Sequence, residues 1–514
     1  MNLILVLASS GTLVGAVGTV IASVYSRRQN RRTSRYGRQA DIFWPPETKR
    51  HRARRRRLLA VALAGILLTA AGAGWFITRS LSYCGTDVQR LDNQCIGITD
   101  GSYVFDAGLA DVEGLIKQEN QWVAAQARPY VTIAYLGPMV RSADTPWQLV
   151  SVVHQLEGAY LAQYAANRTV GQPLIKLYLA NDGNLDQMWL PIVDQLRDMA
   201  PAAHLVAVVG LGGNTSNVRS AATALVKAGL PVVSSADTDG FALPGLFTVA
   251  PTIDEQVAAL VSESDTGRSV LVTDSNPADQ YSAALSAAVE RHLSASDVFR
   301  YVAAFDDSYN EETLDVIVPN VCAVNARTIY FAGRTTDLVP LLRALGERRC
   351  GTEPLVVRTV ADVSLDPGIA SIVASTGITV EYAALAQPDQ WSMIPVTQSQ
   401  QRAAATFGEF SSRFQQHFGA TSQLTDGQAM MGHDSLLTTI SAVRIAAQEL
   451  NDMSPRAVLD ALHDLHGLDA VDGVSGVIDL DAQTGRPVDK PIPVVRIDHD
   501  GHTSTVRLVV LSQH

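Results

Sequence analysis

The chain has 514 residues, enough for two or three domains, with 47% hydrophobic and 18% charged residues. Its formal net charge is −11, but residues 26–57 hold 13 Lys and Arg against two acids, Asp41 and Glu47, and residues 1–25 hold no charge. The remainder carries 27 basic and 49 acidic side chains, a balance of −22 that argues against nucleic acid as a partner of the body.

Two apolar stretches flank the basic block. Residues 3–25 are uncharged and about long enough to span a bilayer. Ser9, Ser10, Gly11 and Thr12 dilute this stretch. Residues 58–77 are also uncharged, with Trp75 and Phe76 at the far end as in an interfacial aromatic belt. The expectation is a transmembrane helix over 1–25, a cytoplasmic basic loop over 26–57 and a second transmembrane helix over 58–78. The chain is then a two-pass protein of the cell membrane, in contact with lipid, and its long C-terminal part is extracytoplasmic. A signal peptide fits residues 1–25 poorly, because no positive charge precedes them. RNA or DNA is the competing partner for the basic block, but the flanking spans account for its charge without nucleic acid.

Cys84, Cys95, Cys322 and Cys350 all follow the second span. An even count on the outer side reads as two disulfides, and four cysteines allow three pairings. Zinc competes weakly, since no two cysteines have C-x-x-C spacing and no His pair lies near. Residues 79–128 read as an extracytoplasmic neck. It contains a helical stretch with Leu109, Val112, Leu115, Ile116 and Val123.

The body starts near residue 129. A strand over 131–138 is followed by a helix over 148–167, whose inner face is Val152, Val153, Leu156, Ala159, Tyr160 and Tyr164. A strand over 174–182 and a helix over 186–199 come next. Residues 205–209, LVAVV, form an apolar run the length of a buried strand, and a Gly-rich polar turn occupies 210–217. A helix over 218–228 carries Ala221, Ala222, Leu225 and Val226 on one side; Gly229 stops it and Pro231 confirms the stop. A second buried strand, 230–233, ends in Ser234-Ser235-Ala236-Asp237-Thr238. Strand and helix alternate in the manner of a parallel sheet with right-handed crossovers. The pattern restarts after Pro251, with strands over 269–274, 298–303, 328–332 and 355–360 and helices over 255–262, 281–292 and 337–345.

Several stretches resemble the type I periplasmic binding proteins of the branched-chain amino-acid kind. VAVVGLGGNTS followed by AGLPVVSSADT is similar to the family's paired ligand turns. VTIAYLGP resembles its first strand, and His433-Asp434-Ser435 stands where the family has Tyr-Asp-Ala. GVSGVIDLDAQTGRP, residues 473–487, resembles its G-x-S/T-G segment. The resemblance runs from about Tyr130 to the C-terminus. It implies an α/β fold of two parallel-sheet lobes joined by a hinge. Lobe 1 would hold about 129–253 and 386–470, and lobe 2 about 254–385 and 471–514.

The same resemblance implies a small amino-acid-like ligand between the lobes. On one side stand Asn214, Thr215 and Ser216 with Ser235, Ala236, Asp237 and Thr238. Free amides at a helix N-terminus suit an anion there, although plain N-capping explains the same residue types. Across the cleft, Tyr281 is placed where the family has a stacking Tyr. Arg334 and Thr335 follow the next strand, where amino-acid binders have a Tyr. The arginine suits a ligand with an extra anionic group, or an internal pair with Asp337 or Asp362. Asp362 could also stand in for the family's acidic ammonium partner. Trp147 either lines the cleft or packs in a loop. The fold reading also pairs Cys322 with Cys350, at the sheet edge away from the ligand, and so leaves Cys84 to Cys95.

GLGGNTSN is not G-x-G-x-x-G, and no P-loop, H-E-x-x-H or G-x-S-x-G occurs, so no enzyme, cofactor or metal is expected. His463 and His466 suggest no third ligand. The expected partner is an ABC permease, for uptake, or a separate signalling protein, for sensing.

Overall fold

The computed structural model describes residues 83–511 and residues 58, 60–62, 64 and 65, apart from 142–145, 214, 239, 262–266, 278, 294–296, 304–309, 351–353, 367, 394–396 and 420–423. The first expected span lies outside the described residues, as does the basic block; of the second, the six described positions are helical. Among the described residues no helix is long and apolar enough to cross a membrane.

From Tyr83 onward the chain builds two α/β lobes. The first contains β1 (Val88–Leu91), β2 (Gln94–Thr99), α1 (Ala110–Ala125), β3 (Tyr130–Gly137), α2 (Pro146–Asn167), β4 (Leu174–Asn181), α3 (Trp189–Ala203), β5 (Leu205–Gly210), α4 (Ser216–Lys227), β6 (Val232–Ser234) and β7 (Leu246–Thr248). The second contains α5 (Ile253–Leu260), β8 (Arg268–Asp274), α6 (Gln280–His292), β9 (Asp297–Tyr301), α7 (Asn310–Ala323), β10 (Ala326–Ala332), α8 (Thr335–Gly346), β11 (Val356–Val360), α9 (Ile369–Thr376) and β12 (Thr379–Ala383). The chain returns to the first lobe with α10 (Gln398–Phe418), α11 (Gln428–Ile445), α12 (Pro455–His463), β13 (Val471–Gly473) and β14 (Gly476–Ile478). It ends in the second lobe with β15 (Ile492–Ile497) and β16 (Thr503–Val509).

Each lobe has a seven-stranded sheet, in the orders β1-β2-β4-β3-β5-β6-β7 and β16-β15-β12-β11-β10-β8-β9. Five strands of each are parallel, and an antiparallel hairpin extends one edge. Central strands are covered on both faces, so β5 is buried at every position; this is why it reads as an unbroken apolar run. Helix α4 shows the complementary pattern, burying Val218, Ala221, Ala222 and Leu225 at helical spacing.

Two boundaries differ from the sequence expectation. The stretch read as a neck is part of the first lobe. Strand β2 pairs antiparallel with β4, and α1 buries Val112, Ile116 and Val123. The hairpin covers a sheet edge that would otherwise expose unpaired backbone groups. Residues 471–489, expected in lobe 2, also belong to lobe 1, because Val471, Val474, Ile478 and Leu480 join its core with α10 and α11.

Three crossings join the lobes, at 249–252, 384–387 and 489–491. The first ends in a capping box, Thr252 with Glu255, that starts α5. The third is fixed to lobe 1 by a buried chain of polar groups. Asp434 accepts from Val474 N and Ser475 N at 2.8 Å each and from Ser475 Oγ at 2.5 Å. Lys490 Nζ donates to Ser475 Oγ at 2.8 Å. Burial lowers the Lys490 ammonium to about 8, and Asp434 opposes that shift.

Both expected disulfides are present. Cys84–Cys95 has its Cα atoms 5.9 Å apart, and Cys322–Cys350 has them 5.6 Å apart.

Candidate functional site

The crossings define which sheet edges meet. Strand β7 runs parallel to β6 and leads into the first crossing, so that crossing leaves the carboxyl edge of the first sheet. Strand β12 ends at Ala383, opposite Val494 near the start of β15, so the other two lie at the carboxyl edge of the second sheet. Loops that follow parallel strands therefore gather on the hinge side of each lobe, where ligands of open α/β sheets bind.

In lobe 1 the wall is a buried hydrogen-bond network centred on Gln155 of α2. Its Oε1 accepts from Tyr135 OH at 2.9 Å and from Ser235 Oγ at 2.6 Å. Its Nε2 donates to Gln428 Oε1 at 2.7 Å. Gly212 admits this arrangement: a Cβ there would lie 3.1 Å from Gln155 Nε2 and 3.4 Å from Ser235 Oγ. Helix α2 comes close enough because Gly158 and Gly432 let α2 and α11 cross almost backbone to backbone. A Cβ on Gly158 would lie 1.8 Å from the Ala429 carbonyl oxygen.

Next to Gln155, His154 Nδ1 lies 2.5 Å from Asp426 Oδ2. The Asp426 carbonyl accepts from Ser364 Oγ of lobe 2 at 3.3 Å. This contact sets the loop after β11 against the first lobe. Beside it, burial pushes the Glu157 carboxyl up to about 7, with His154 opposing.

The expected lobe 1 residues separate by role. Ser235, Ala236, Asp237 and Thr238 are all buried at the end of β6. Asp237 is ion-paired, its Oδ2 lying 3.2 Å from Arg486 Nη2. Thr215 is the N-cap of α4, accepting from Val218 N at 3.1 Å, so the capping alternative holds for it. Thr215 Oγ1 also lies 3.4 Å from Asp186 Oδ2. Burial raises the Asp186 carboxyl to about 7, while hydrogen bonds from Thr215 and with Asp182 oppose the shift. Ser216 is exposed on the first turn of α4. Asn214 and the side chains of Trp147 and Asp362 lie outside the described residues. An open depression of about 270 Å³, open solvent included, lies beside these turns, lined by Leu211, Thr215, Arg219, Ser234, Asp237 and Phe241.

In lobe 2, Tyr281 is buried at the start of α6 and Arg334 is the N-cap residue of α8. Arg334 pairs with Asp279, a partner the sequence reading did not name. Its Nε donates to Asp279 Oδ2 at 3.1 Å and its Nη2 to Asp279 Oδ1 at 3.0 Å. The reason is reach: Asp279 caps α6 beside α8, and its two oxygens match the guanidinium fork. The guanidinium also lies 4.1 Å from the centre of the Tyr281 ring. Thr335 opens α8 beside it.

Sequence reading missed Gln155, Gln428, Asp279 and Arg486. Gln155 left a trace, being a polar residue three after Val152 and four before Ala159 on an otherwise apolar helix face. His463 ends α12 with its Nδ1 3.2 Å from the Ala482 carbonyl oxygen. Among the described residues no group of three His, Cys, Asp or Glu is placed to hold a metal.

No family model matches the chain, and no curated protein does. Solved structures do. An ABC transporter substrate-binding protein from Desulfitobacterium hafniense, in complex with Leu, aligns with a TM-score of 0.55 at 18% identity. The alignment covers 74% of this chain and 99% of that one. The branched-chain amino-acid substrate-binding protein LivJ from Streptococcus pneumoniae, in complex with isoleucine, gives 0.55 at 14% identity, covering 74% and 100%. A branched-chain amino-acid ABC transporter protein from Thermus thermophilus with bound valine gives 0.54 at 11%, covering 76% and 98%.

Proposed function

We propose, from a fold shared over nearly the whole length of those binding proteins, that this chain is a solute-binding protein. It takes a small amino-acid-like molecule between its lobes. The observation that carries this reading is the meeting of two carboxyl sheet edges at three crossings, with a hydrogen-bonded polar wall on the lobe 1 side. Ligand entry and hinge closure would bring the loops after β8, β10 and β11 toward that wall. A wall whose side chains already hold one another loses little freedom on binding.

The basic block between two apolar stretches supports a tether in the cell membrane, with the lobes outside and uptake through an ABC permease. The test of binding is a thermal-shift screen of the full chain in detergent against amino acids, amides and sugars. A ligand selective for the folded state raises the melting temperature. No shift with any of them would overturn the reading. The tether is tested by introducing Ser34→Cys and labelling whole cells from outside. Residue 34 should stay unlabelled, and labelling there would reverse the topology.

A further inference from the structure

Two of the three crossings converge on one residue of lobe 1, Ser475, in the turn between β13 and β14. From the second crossing, Gln387 N donates to Gln390 Oε1 at 2.8 Å, and Gln390 Nε2 donates to the Ser475 carbonyl oxygen at 3.2 Å. From the third crossing, Lys490 Nζ donates to Ser475 Oγ at 2.8 Å. Ser475 in turn donates to Asp434 Oδ2 of α11, through N at 2.8 Å and through Oγ at 2.5 Å. Asp434, Ser475, Gln390 and Lys490 are all buried. The same two crossings lie side by side in lobe 2, where Ala384 N donates to the Pro493 carbonyl oxygen at 2.9 Å. The first crossing is held separately: Ile253 N donates to the Thr238 carbonyl oxygen at 2.7 Å, and Thr252 caps α5.

Local sequence makes this convergence possible. A Cβ on Gly473 would lie 2.5 Å from Asp434 Oδ2, and one on Gly476 would lie 3.0 Å from Pro491 Cδ. Glycine on each side of the turn therefore lets it approach α11 and the third crossing at once. Asp489 opens that crossing with a φ of +51°, in the left-handed region. A non-glycine residue stays there only where its surroundings hold it, and Lys490 is the next residue in the chain. An ammonium buried beside a carboxylate needs its partners, because losing one leaves the other with the desolvation penalty. Helix α11 extends from this point to the polar wall. Gln428 at its start accepts from Gln155, about 9 Å along the helix from Asp434.

We propose that Ser475 and Lys490 clamp the second and third crossings into one joint, so that the lobes turn about a single axis running from this joint to the first crossing. The clamp goes beyond the solute-binding reading and is a property of the ligand-free chain. Its link to the ligand wall through α11 is the one part that rests on that reading.

The test is hydrogen exchange followed by mass spectrometry on the ligand-free full chain in detergent. Peptides over 249–256, 384–392 and 488–494 report the three crossings, and one over 205–210 reports the core of lobe 1. Lys490→Met keeps an unbranched apolar stem and removes the ammonium. It should speed exchange about tenfold over both the second and the third crossing, the range of one charge-assisted hydrogen bond. The first crossing and residues 205–210 should exchange as before. Gln390→Met is the reciprocal variant and removes no charge. It should speed exchange over 488–494 about threefold, the range of a neutral hydrogen bond. Faster exchange confined to the crossing that carries the substitution would overturn the coupling. Acceleration everywhere, residues 205–210 included, would show that Lys490 holds the fold as a whole and would overturn the clamp. No change in either variant would overturn it too. If Lys490→Met does not fold, the response of 488–494 to Gln390→Met decides alone.

Discussion

Single residues decide how the polar wall of lobe 1 works. Ser235 donates to Gln155, and Gln155 also accepts from Tyr135, so removing one hydroxyl leaves the amide partly satisfied. Ser235→Ala should therefore lower stability by only about 1 kcal/mol; denaturant unfolding measures this, and a loss several times larger would show that Ser235 holds more than Gln155. Asp186 gives a pH prediction. Burial raises both carboxyls of the neighbouring Asp182 and Asp186, so the folded pair keeps a proton up to about 7, while the unfolded chain releases it near the ordinary carboxyl value of about 4. The native state thus binds more protons between those values, and its stability falls as pH rises through that window. Asp337 and Glu157, also raised to about 7, add slopes of the same sign. Asp186→Asn should make the fall in melting temperature between pH 4 and 7 shallower, and an unchanged slope would place its proton elsewhere. Turn residues of the wall were legible in the sequence because Gly, Ser and Asp announce themselves. Their partners were not. Arg486 reaches Asp237 from far along the chain, and no local pattern announces such a pair.

At the scale of elements, the parallel strands were legible because burial on both faces leaves long apolar runs. Strand β12 was missed. Glu381 sits inside it, buried between Arg358 at 2.9 Å and Arg496 at 2.6 Å, and a charged residue there breaks the apolar signal. The β1–β2 hairpin was missed because VQRL and QCIGIT carry a mixed edge-strand composition. Helix α10 buries only Ala403, Phe410 and Phe414, so its apolar stripe is thin. The contact between α2 and α11 depends on two positions without side chains. Gly158→Ala should push the helices apart and cost about 3 kcal/mol or more, at the upper end for overpacking. Because Gln155 rides on α2, the same variant should weaken ligand binding, measured by the shift of melting temperature with ligand. Normal stability would mean that the helices separate without cost.

For the whole molecule, the doubly wound character of both lobes and their return crossings follow from the order of elements. The exact exchange points do not, since residues 471–489 contain little periodicity to say which core they join. The Cys322–Cys350 bridge closes a loop with a sequence separation of 28 in lobe 2. Replacing both cysteines by serine should cost about 3–4 kcal/mol by the chain-entropy model. The loss should appear in thermal unfolding, with ligand affinity retained because the bridge lies at the amino edge of the sheet. A loss of affinity at normal stability would contradict that placement.

The other bridge governs reach. Cys84 and Cys95 bracket β1, and Cys95 lies in β2, which pairs with β4 of the main sheet. Tension applied to the chain at Tyr83 passes through the sulfurs directly to β2, and β1 carries none of it. With the bridge reduced, the same tension can peel β1 away. The slack released is the extended length of the 11-residue separation less the 5.9 Å already spanned, about 30 Å. On the membrane tether proposed above, the oxidised bridge would keep the lobes on a short leash, and a reducing environment would lengthen it without unfolding either sheet's parallel core.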